Sequence, residues 1–373
     1  MSFSVNFFGD FMAKDFTPSV IDKDLRQIID SAKFNVINFE APIHSPSKPI
    51  LKSGPSHSQW EYGPRWLEDN GFNVILLANN HIMDYGADGL LKTINAFKGA
   101  ECLGAGIWKD AYKPTIIEYN DVKIAFLSCT HCEFGVLTDE YDHRDIAKYG
   151  SAWINHPTID KIIVETKAKV DYLIVLPHAG VEEVSQPLPE WRDRYKTFVD
   201  LGADAVIATH PHIIQSFEIY KEKPIYYSLG NFYFPKKKQK PDYWYKSLCV
   251  TMTVFHDGIR FHHTQICFGK ENITLCNRLV DNKELEELNS VLNDNDEYMD
   301  FINVMACDYL KRYNALFYGS GYAPWITKEV IKRPRMFLSR LVNGNITHVM
   351  NNIRCESHRW TIIRALKLLN KIQ

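Results

Sequence analysis

Ala205-Val206-Ile207-Ala208-Thr209-His210-Pro211-His212 is the stretch on which the reading of this chain turns. Four apolar residues predict a short buried strand, and two histidines follow one residue apart. A strand end of this kind aims two imidazoles into one space, and neutral imidazole is the commonest side-chain metal ligand. Pro211 stiffens the turn between the two rings. Alone, His-x-His is more often two polar residues of a loop. The other strand ends therefore decide the matter.

The chain has 373 residues, 45% of them apolar and 24% charged, with net charge −2. That length predicts one large domain, or a domain with an appendage. The charge balance argues against nucleic acid as a partner held by overall charge. No apolar run approaches the ~20 residues of a transmembrane helix. Phe3 to Asp10 reads as a core strand rather than a basic leader, which points to a cytoplasmic protein. Eight scattered cysteines do not resemble a disulfide framework and are expected as reduced thiols. Cys129-Thr130-His131-Cys132, without a second pair, reads as a strand end and not as a zinc site.

Apolar runs at 3–9, 34–39, 73–78, 122–129 and 172–176 alternate with helical spacings at 22–32, 60–69, 86–98, 159–168 and 191–201. Alternating strands at 247–255, 259–267 and 270–276 follow. The pattern predicts an α/β layered domain with a mixed sheet, or two stacked sheets flanked by helices. The segments 41–58 and 130–157 read as long loops that shape a pocket. His44, His57, His131, His143 and His156 fall in them and are expected to be solvated.

Asp10, Glu40, Asn80-His81, His178, His210 and His212 each stand just after an apolar run. In open α/β sheets the ligand crevice lies outside the carboxyl ends of the strands. All these residues are hard or borderline N/O donors, and none is Cys, which suits Mn, Fe or Zn better than a thiolate-bound structural zinc. Asp10, Glu40, Asn80, His178, His210 and His212 are too many for one tetrahedral ion and fit two divalent metals sharing a bridge. His81 is then a proton donor to a leaving oxygen, or a stabiliser of its charge. Asp84 either orients His81 or is simply a helix-start carboxylate.

Seven motifs in order now resemble the CapA family of poly-γ-glutamate and capsule biosynthesis proteins, relatives of calcineurin-like metallophosphatases. They are Gly9-Asp10, Asn38-Phe39-Glu40-Ala41-Pro42, Ala78-Asn79-Asn80-His81-x-x-Asp84-Tyr85-Gly86, Gly104-Ala105-Gly106, His178-Ala179-Gly180-Val181-Glu182, His210-Pro211-His212 and Tyr227-Ser228-Leu229-Gly230-Asn231-Phe232. The resemblance covers about residues 3–235. It implies a four-layer α/β/β/α metallophosphoesterase-like sandwich and a two-metal site that activates water. It also implies His81 as the catalytic histidine, with Glu182 and Asn231 at the rim, contacting substrate or standing behind the ligands. Gly9-Asp10 lacks the following Asp-x-His histidine of ordinary metallophosphatases.

Two domains are expected: 1–280, CapA-like, and 281–373, a helical C-terminal extension. Residues 281–308 carry nine Asp/Glu against one Lys, with Leu285, Leu288, Val291 and Leu292 at helical spacing. Residues 326–373 carry ten Lys/Arg against two Glu and end in an amphipathic helix with Ile362, Leu366 and Leu369 on one stripe. The extension either packs on the core or offers a basic surface to an anionic polymer, a capsule-synthesis partner or a membrane face. The leading expectation is a metal-dependent hydrolase or phosphoesterase acting on a phosphorylated glycan, an anionic polymer or a small molecule. The alternatives are a γ-glutamyl amide hydrolase and a non-catalytic accessory protein, the latter motivated by the basic tail and Lys48-Pro49-Ile50-Leu51-Lys52.

Overall fold

A computed structural model describes residues 2–14, 20–138, 148–236, 238–269, 272–276, 278–317 and 349–370. Strand β1 (Phe3–Phe11) is its axis. Phe3, Val5 and Phe7 point one way, into an apolar layer between two sheets, and Phe8 points the other way, beneath helices, as the period of 2 requires. Buried Asn6 interrupts the apolar run without cost because it is fully engaged. It donates to Asn35 Oδ1 at 3.0 Å and accepts from Thr251 Oγ1 at 2.7 Å.

Among the described residues, nine strands form the first sheet. Its order is β2 (Val20–Ile21), β17 (Asn272–Leu275), β16 (Gly258–Phe268), β15 (Lys246–Phe255), β1, β3 (Phe34–Phe39), β4 (Val74–Leu76) and β5 (Glu101–Leu103), with β14 (Asn231–Tyr233) beside the end of β1. Six strands form the second sheet, in the order β12 (Phe217–Tyr220), β13 (Lys223–Tyr226), β11 (Ala205–Ile207), β10 (Tyr172–His178), β8 (Val122–Thr130) and β7 (Thr115–Tyr119). A short pair, β6 (Ala105–Gly106) and β9 (Gly150–Ser151), stands apart. The sheets meet through Phe7, Val36, Phe126, Ile174, Ile207, Val250 and their neighbours.

Helices α1 (Lys23–Ser31), α2 (Gly63–Asp69) and α3 (Gly86–Ala96) cover the first sheet through Leu25, Ile29, Leu67 and Leu90. Asp22 starts α1 as its N-cap, accepting from Leu25 N at 2.8 Å. A single turn, α4 (Trp108–Ala111), follows in the chain. Helices α5 (Pro157–Lys167) and α6 (Pro189–Asp200) cover the second sheet through Ile159, Ile163, Trp191 and Phe198. The architecture is thus the expected four-layer α/β/β/α sandwich.

The C-terminal residues are helical as well: α7 (Arg278–Asn293), α8 (Asn295–Phe317) and α9 (Glu356–Asn370). Leu285 of α7 joins the layer between the sheets, while Leu292, with Tyr298 and Ile302 of α8, joins the layer outside the second sheet. Helix α9 packs on α8 through Ile362 and Ala365 against Ala306 and Leu310. The stripe expected on α9 therefore needs correction: Leu366 and Leu369 are 41% and 62% exposed, because Ala365 faces α8 in their place. Much of the basic tail, 326–348, lies outside the described residues, as does His143.

A second correction concerns the thiols. Cys267 and Cys276 form a disulfide across the β16–β17 connection, with Cα atoms 5.4 Å apart. Antiparallel pairing brings the two within bonding reach, which a nine-residue separation alone did not reveal. The expectation of reduced thiols fails here, and it had been one support for a cytoplasmic setting. Cys129 and Cys132 are buried and not disulfide-bonded.

Candidate metal centre

The carboxyl ends of β1, β3, β10 and β11 meet at one place between the sheets. The pairing of β1 with β3 shifts register between Phe8 and Asp10, and this irregularity lies where Asp10 enters the cluster. Gly9 is required just there, since a Cβ on it would lie 1.9 Å from the carbonyl oxygen of Gly230. His210 and His212 both adopt positive φ, at 104° and 61°. Two non-glycine residues in that region cost of order 1–3 kcal/mol each, strain of the kind that collects at functional sites.

Asp10, Glu40 and His178 place donor atoms within 4.8 Å of one another, and all three are buried. Asn38 donates its amide to Asp10 Oδ1 and to Glu40 Oε2, each at 2.7 Å, so one side chain fixes both carboxylates. His178 Nδ1 is hydrogen-bonded to Thr209 Oγ1 at 2.9 Å. Its Nε2 lies 3.2 Å from Asn80 Oδ1, 3.2 Å from His210 Nδ1 and 3.5 Å from Glu40 Oε2. His212 Nδ1 stands 3.1 Å from Asp10 Oδ2. All six expected ligand residues are therefore in one buried cluster.

Burial alone would raise the Glu40 carboxyl, but the charge and hydrogen bond of His178, with His212 and His81, hold it well below the carboxylate range. Burial lowers His210, and the neighbouring His131 and His178 lower it further, so its ring stays neutral. His212 moves the other way: against burial, the Asp10 carboxylate lifts it to about 9. Glu40 Oε1 is buried with no hydrogen-bond partner among the described residues. An orphaned buried carboxylate oxygen in a cluster of carboxylates, imidazoles and amides is what a divalent cation would satisfy, so the donor set fits a metal.

His81 lies beside this cluster and is hydrogen-bonded through Nδ1 to Asp84 Oδ2 at 2.7 Å. Asp84 also accepts from the backbone of His57 at 2.6 Å and from Lys52. Asp84 thus holds the His81 ring by a hydrogen bond and is itself held by two further donors. Lys52 corrects the expectation of a polymer-facing loop lysine: its side chain is 2% exposed, because Asp84 and the Phe134 ring, 4.1 Å away, draw it inward. Burial lowers its pKa, opposed by Asp84.

Asn231 is buried behind His212, accepting or sharing at 3.1 Å through Oδ1 while its amide donates to the His212 carbonyl at 2.8 Å. Glu182 is exposed, close enough for its charge to act on His212 and Lys236. Lys236 spans the Phe234 and Trp244 rings at 3.8 and 4.9 Å, and burial lowers it to about 8. A cavity of about 400 Å³ opens beside Lys14, lined also by His44, Ser56, Gln59, Trp60 and Glu61. Lys14 reaches His57 Nδ1 at 2.7 Å, and the His57 ring sits 4.5 Å from that of His81.

Two loop histidines were expected in solvent and are not. His57 is drawn in by Asp84, and burial together with the neighbouring His81 and Lys14 lowers it to about 2. His131 is fully buried, 4.4 Å ring to ring from His210. Glu133, two residues on, was missed altogether. It accepts from Asn80 Nδ2 at 2.8 Å and lies 3.3 Å from His131 Nε2. Burial would raise this carboxyl, but His131 and His358 hold it well below its ordinary range. The signal existed: His131 stands just past the end of β8, and His178 closes β10.

The extension also reaches this side. Glu356 accepts from Cys132 N at 2.8 Å, Trp153 Nε1 at 2.6 Å and Asn155 Nδ2 at 3.1 Å. Ser357 Oγ accepts from Trp191 Nε1 at 2.9 Å, and Asn351 contacts Glu133 at 3.3 Å.

Comparison with known proteins places residues 4–236 within the profile of the bacterial capsule synthesis protein PGA_cap. The capsule biosynthesis protein CapA of Bacillus anthracis is 35% identical over 210 residues, covering 53% of this chain and 49% of that one. The PGA biosynthesis protein CapA of Bacillus subtilis is 28% identical over 247 residues, covering 62% and 63%. A Mycobacterium tuberculosis protein named as a probable polyglutamine synthesis accessory protein is 26% identical over 169 residues, covering 43% and 44%. The chain thus spans from about half to under two thirds of the length of these relatives.

Proposed function

This chain belongs to the bacterial capsule synthesis (PGA_cap) family, and on that premise we propose that it is a metal-dependent hydrolase of capsule or exopolysaccharide biosynthesis. The observation that carries the reading is the buried convergence of Asp10, Glu40 and His178, with Glu40 Oε1 left unpartnered. Asp10, Glu40, Asn80, His178, His210 and His212 would hold one or two divalent ions of the Mn, Fe or Zn class. Bound there, such an ion would supply Lewis-acid chemistry, polarising a substrate oxygen and making water more acidic.

The chain's own residues supply the rest. Asn38 fixes the two carboxylates, and Thr209 fixes the ring of His178. His81, held by Asp84 with Lys52 balancing that carboxylate, is positioned to hand a proton to a leaving oxygen. Lys236 and Lys14 give the approach a positive sign, which suits a phosphoester or a polymer of carboxylates. Glu182 would turn towards substrate from the rim.

The test uses one metal-stripped preparation resupplied with Mn²⁺. It is assayed on bis(p-nitrophenyl) phosphate and on γ-glutamyl-p-nitroanilide. Turnover of the phosphodiester, lost in His81→Ala, supports the phosphoesterase reading. Turnover of the anilide alone converts it to an amide hydrolase. No turnover of either with Mn²⁺, Fe²⁺ or Zn²⁺ overturns catalysis. It would leave the accessory reading, which the name of the mycobacterial relative favours, of a chain that binds an anionic polymer or the synthase through the same basic approach.

A further inference from the structure

We propose that Glu133, Cys355 and His358 form a separate zinc-class cation site that pins the C-terminal helix to the sandwich. The three present donor atoms within 4.8 Å of one another. Glu133 follows β8, whereas Cys355 and His358 come from the start of α9, outside the 4–236 span shared with the family. The site is independent of the hydrolase reading, because it uses none of the strand-end residues.

Its chemistry also differs from that of the strand-end cluster. One sulfur, one imidazole and one carboxylate are a donor set that zinc takes readily, whereas the other cluster is all nitrogen and oxygen. Glu133 faces two ways. Its Oε2 takes the amide of Asn80 and approaches His131. Its Oε1 lies 3.9 Å from His358 Nε2 and receives the Asn351 amide at 3.3 Å. These amides hold the carboxylate in place, as outer partners do at metal sites. Tetrahedral donors around zinc stand roughly 3.3–3.8 Å apart, so closing on an ion needs side-chain shifts of about 1 Å. Cys355 and Glu133 are buried, and His358, partly exposed, gives an ion its way in.

On the other side of Glu133, His131 Nε2 stands 3.3 Å from Oε2, which leaves Oε1 to the donors of the tail. A cation on the Oε1 side leaves Oε2 free to hold Asn80, whose own oxygen is turned to His178. Occupancy of the tail site would then steady one residue of the strand-end cluster.

The experiment is a Co²⁺ titration of the metal-stripped full chain, followed by near-ultraviolet and visible absorption. The expected result is a saturable thiolate-to-cobalt charge-transfer band whose final amplitude matches one thiolate-bound cobalt per chain. Cys355→Ser should abolish that band, His358→Gln should weaken its midpoint at least ~10-fold, and Asp10→Asn should retain it. Absence of the band in the wild-type chain overturns the site, and so does a band that survives in folded Cys355→Ser. Should Cys355→Ser fail to fold, the His358→Gln midpoint decides: an unchanged midpoint overturns the assignment.

Discussion

Two buried donor clusters meet at His210, and they are held by different means. The strand-end cluster, Asp10, Glu40 and His178, hangs on β-ladders: the backbone hydrogen bonds of β1, β3, β10 and β11 set where each donor stands. The flanking cluster, His131 and Glu133 with Asn351, Cys355, Glu356 and His358, is held by side chains reaching between segments as much as 226 residues apart. In the first, fold and chemistry are separable, because the ladder survives the loss of a donor. In the second, the donors are themselves the ties. Substitutions should therefore cost chemistry on one side and stability on the other.

The largest expected effect tests that division directly. Asp10→Asn should lower kcat/KM on whichever substrate is turned over by roughly 10³-fold, about 4 kcal/mol, while the urea midpoint changes little. A comparable loss of stability would break the distinction. Next comes Glu356→Ala, which removes the acceptor shared by Cys132 N, Trp153 Nε1 and Asn155 Nδ2. It should cost about 3–5 kcal/mol in urea unfolding, with turnover per folded molecule nearly intact. A cost below about 1 kcal/mol would mean that Ile362 and Ala365 dock the helix unaided.

A smaller effect is expected from Asn38→Ala. The variant removes the amide shared by Asp10 and Glu40 but no ligand. Mn²⁺ affinity by calorimetry should fall about 10–100-fold, and an unchanged affinity would show that the strand ladder alone orients the carboxylates. The smallest belongs to a tie on the far face of the second sheet, where Arg192 grips Glu218 at 2.8 and 2.9 Å. Burial would raise the Glu218 carboxyl, but Arg192 and Tyr227 lower it overall. A depressed carboxylate contributes stability above its ordinary value of about 4.3 and loses it as pH falls through the folded value. Thermal melts should show Glu218→Gln less stable than wild type by about 1–2 kcal/mol at pH 7. The gap should close below about pH 4, whereas a gap that widens in acid would contradict the sign.

The same contrast explains what could be read from the chain. Asp10, Glu40, Asn80, His178, His210 and His212 follow apolar runs, and strand period with the carboxyl-end rule brings such residues together. The four layers follow from the same alternation. The register shift before Asp10 and the positive φ of His210 and His212 are not legible, because they arise when neighbouring strands pair. Lys52 turned inward because Asp84, 32 residues away, offers a buried carboxylate, and loop composition carries no such information. His131 was within reach of the strand-end rule, but its place in a Cys-x-x-Cys frame and an irregular segment drew the reading to solvent. Cys355, Glu356 and His358 had no periodic signature, since their partners are single side chains far away in sequence.

The central claim is that the strand-end cluster is a divalent-metal centre. Its most direct test is Mn²⁺ titration of the metal-stripped chain, with free ion followed by electron paramagnetic resonance. The account predicts saturable binding that weakens at least ~100-fold in His178→Ala and in Asp10→Asn and is unmoved by Cys355→Ser. No binding by the wild-type chain, or equal binding by wild type and Asp10→Asn, would contradict it.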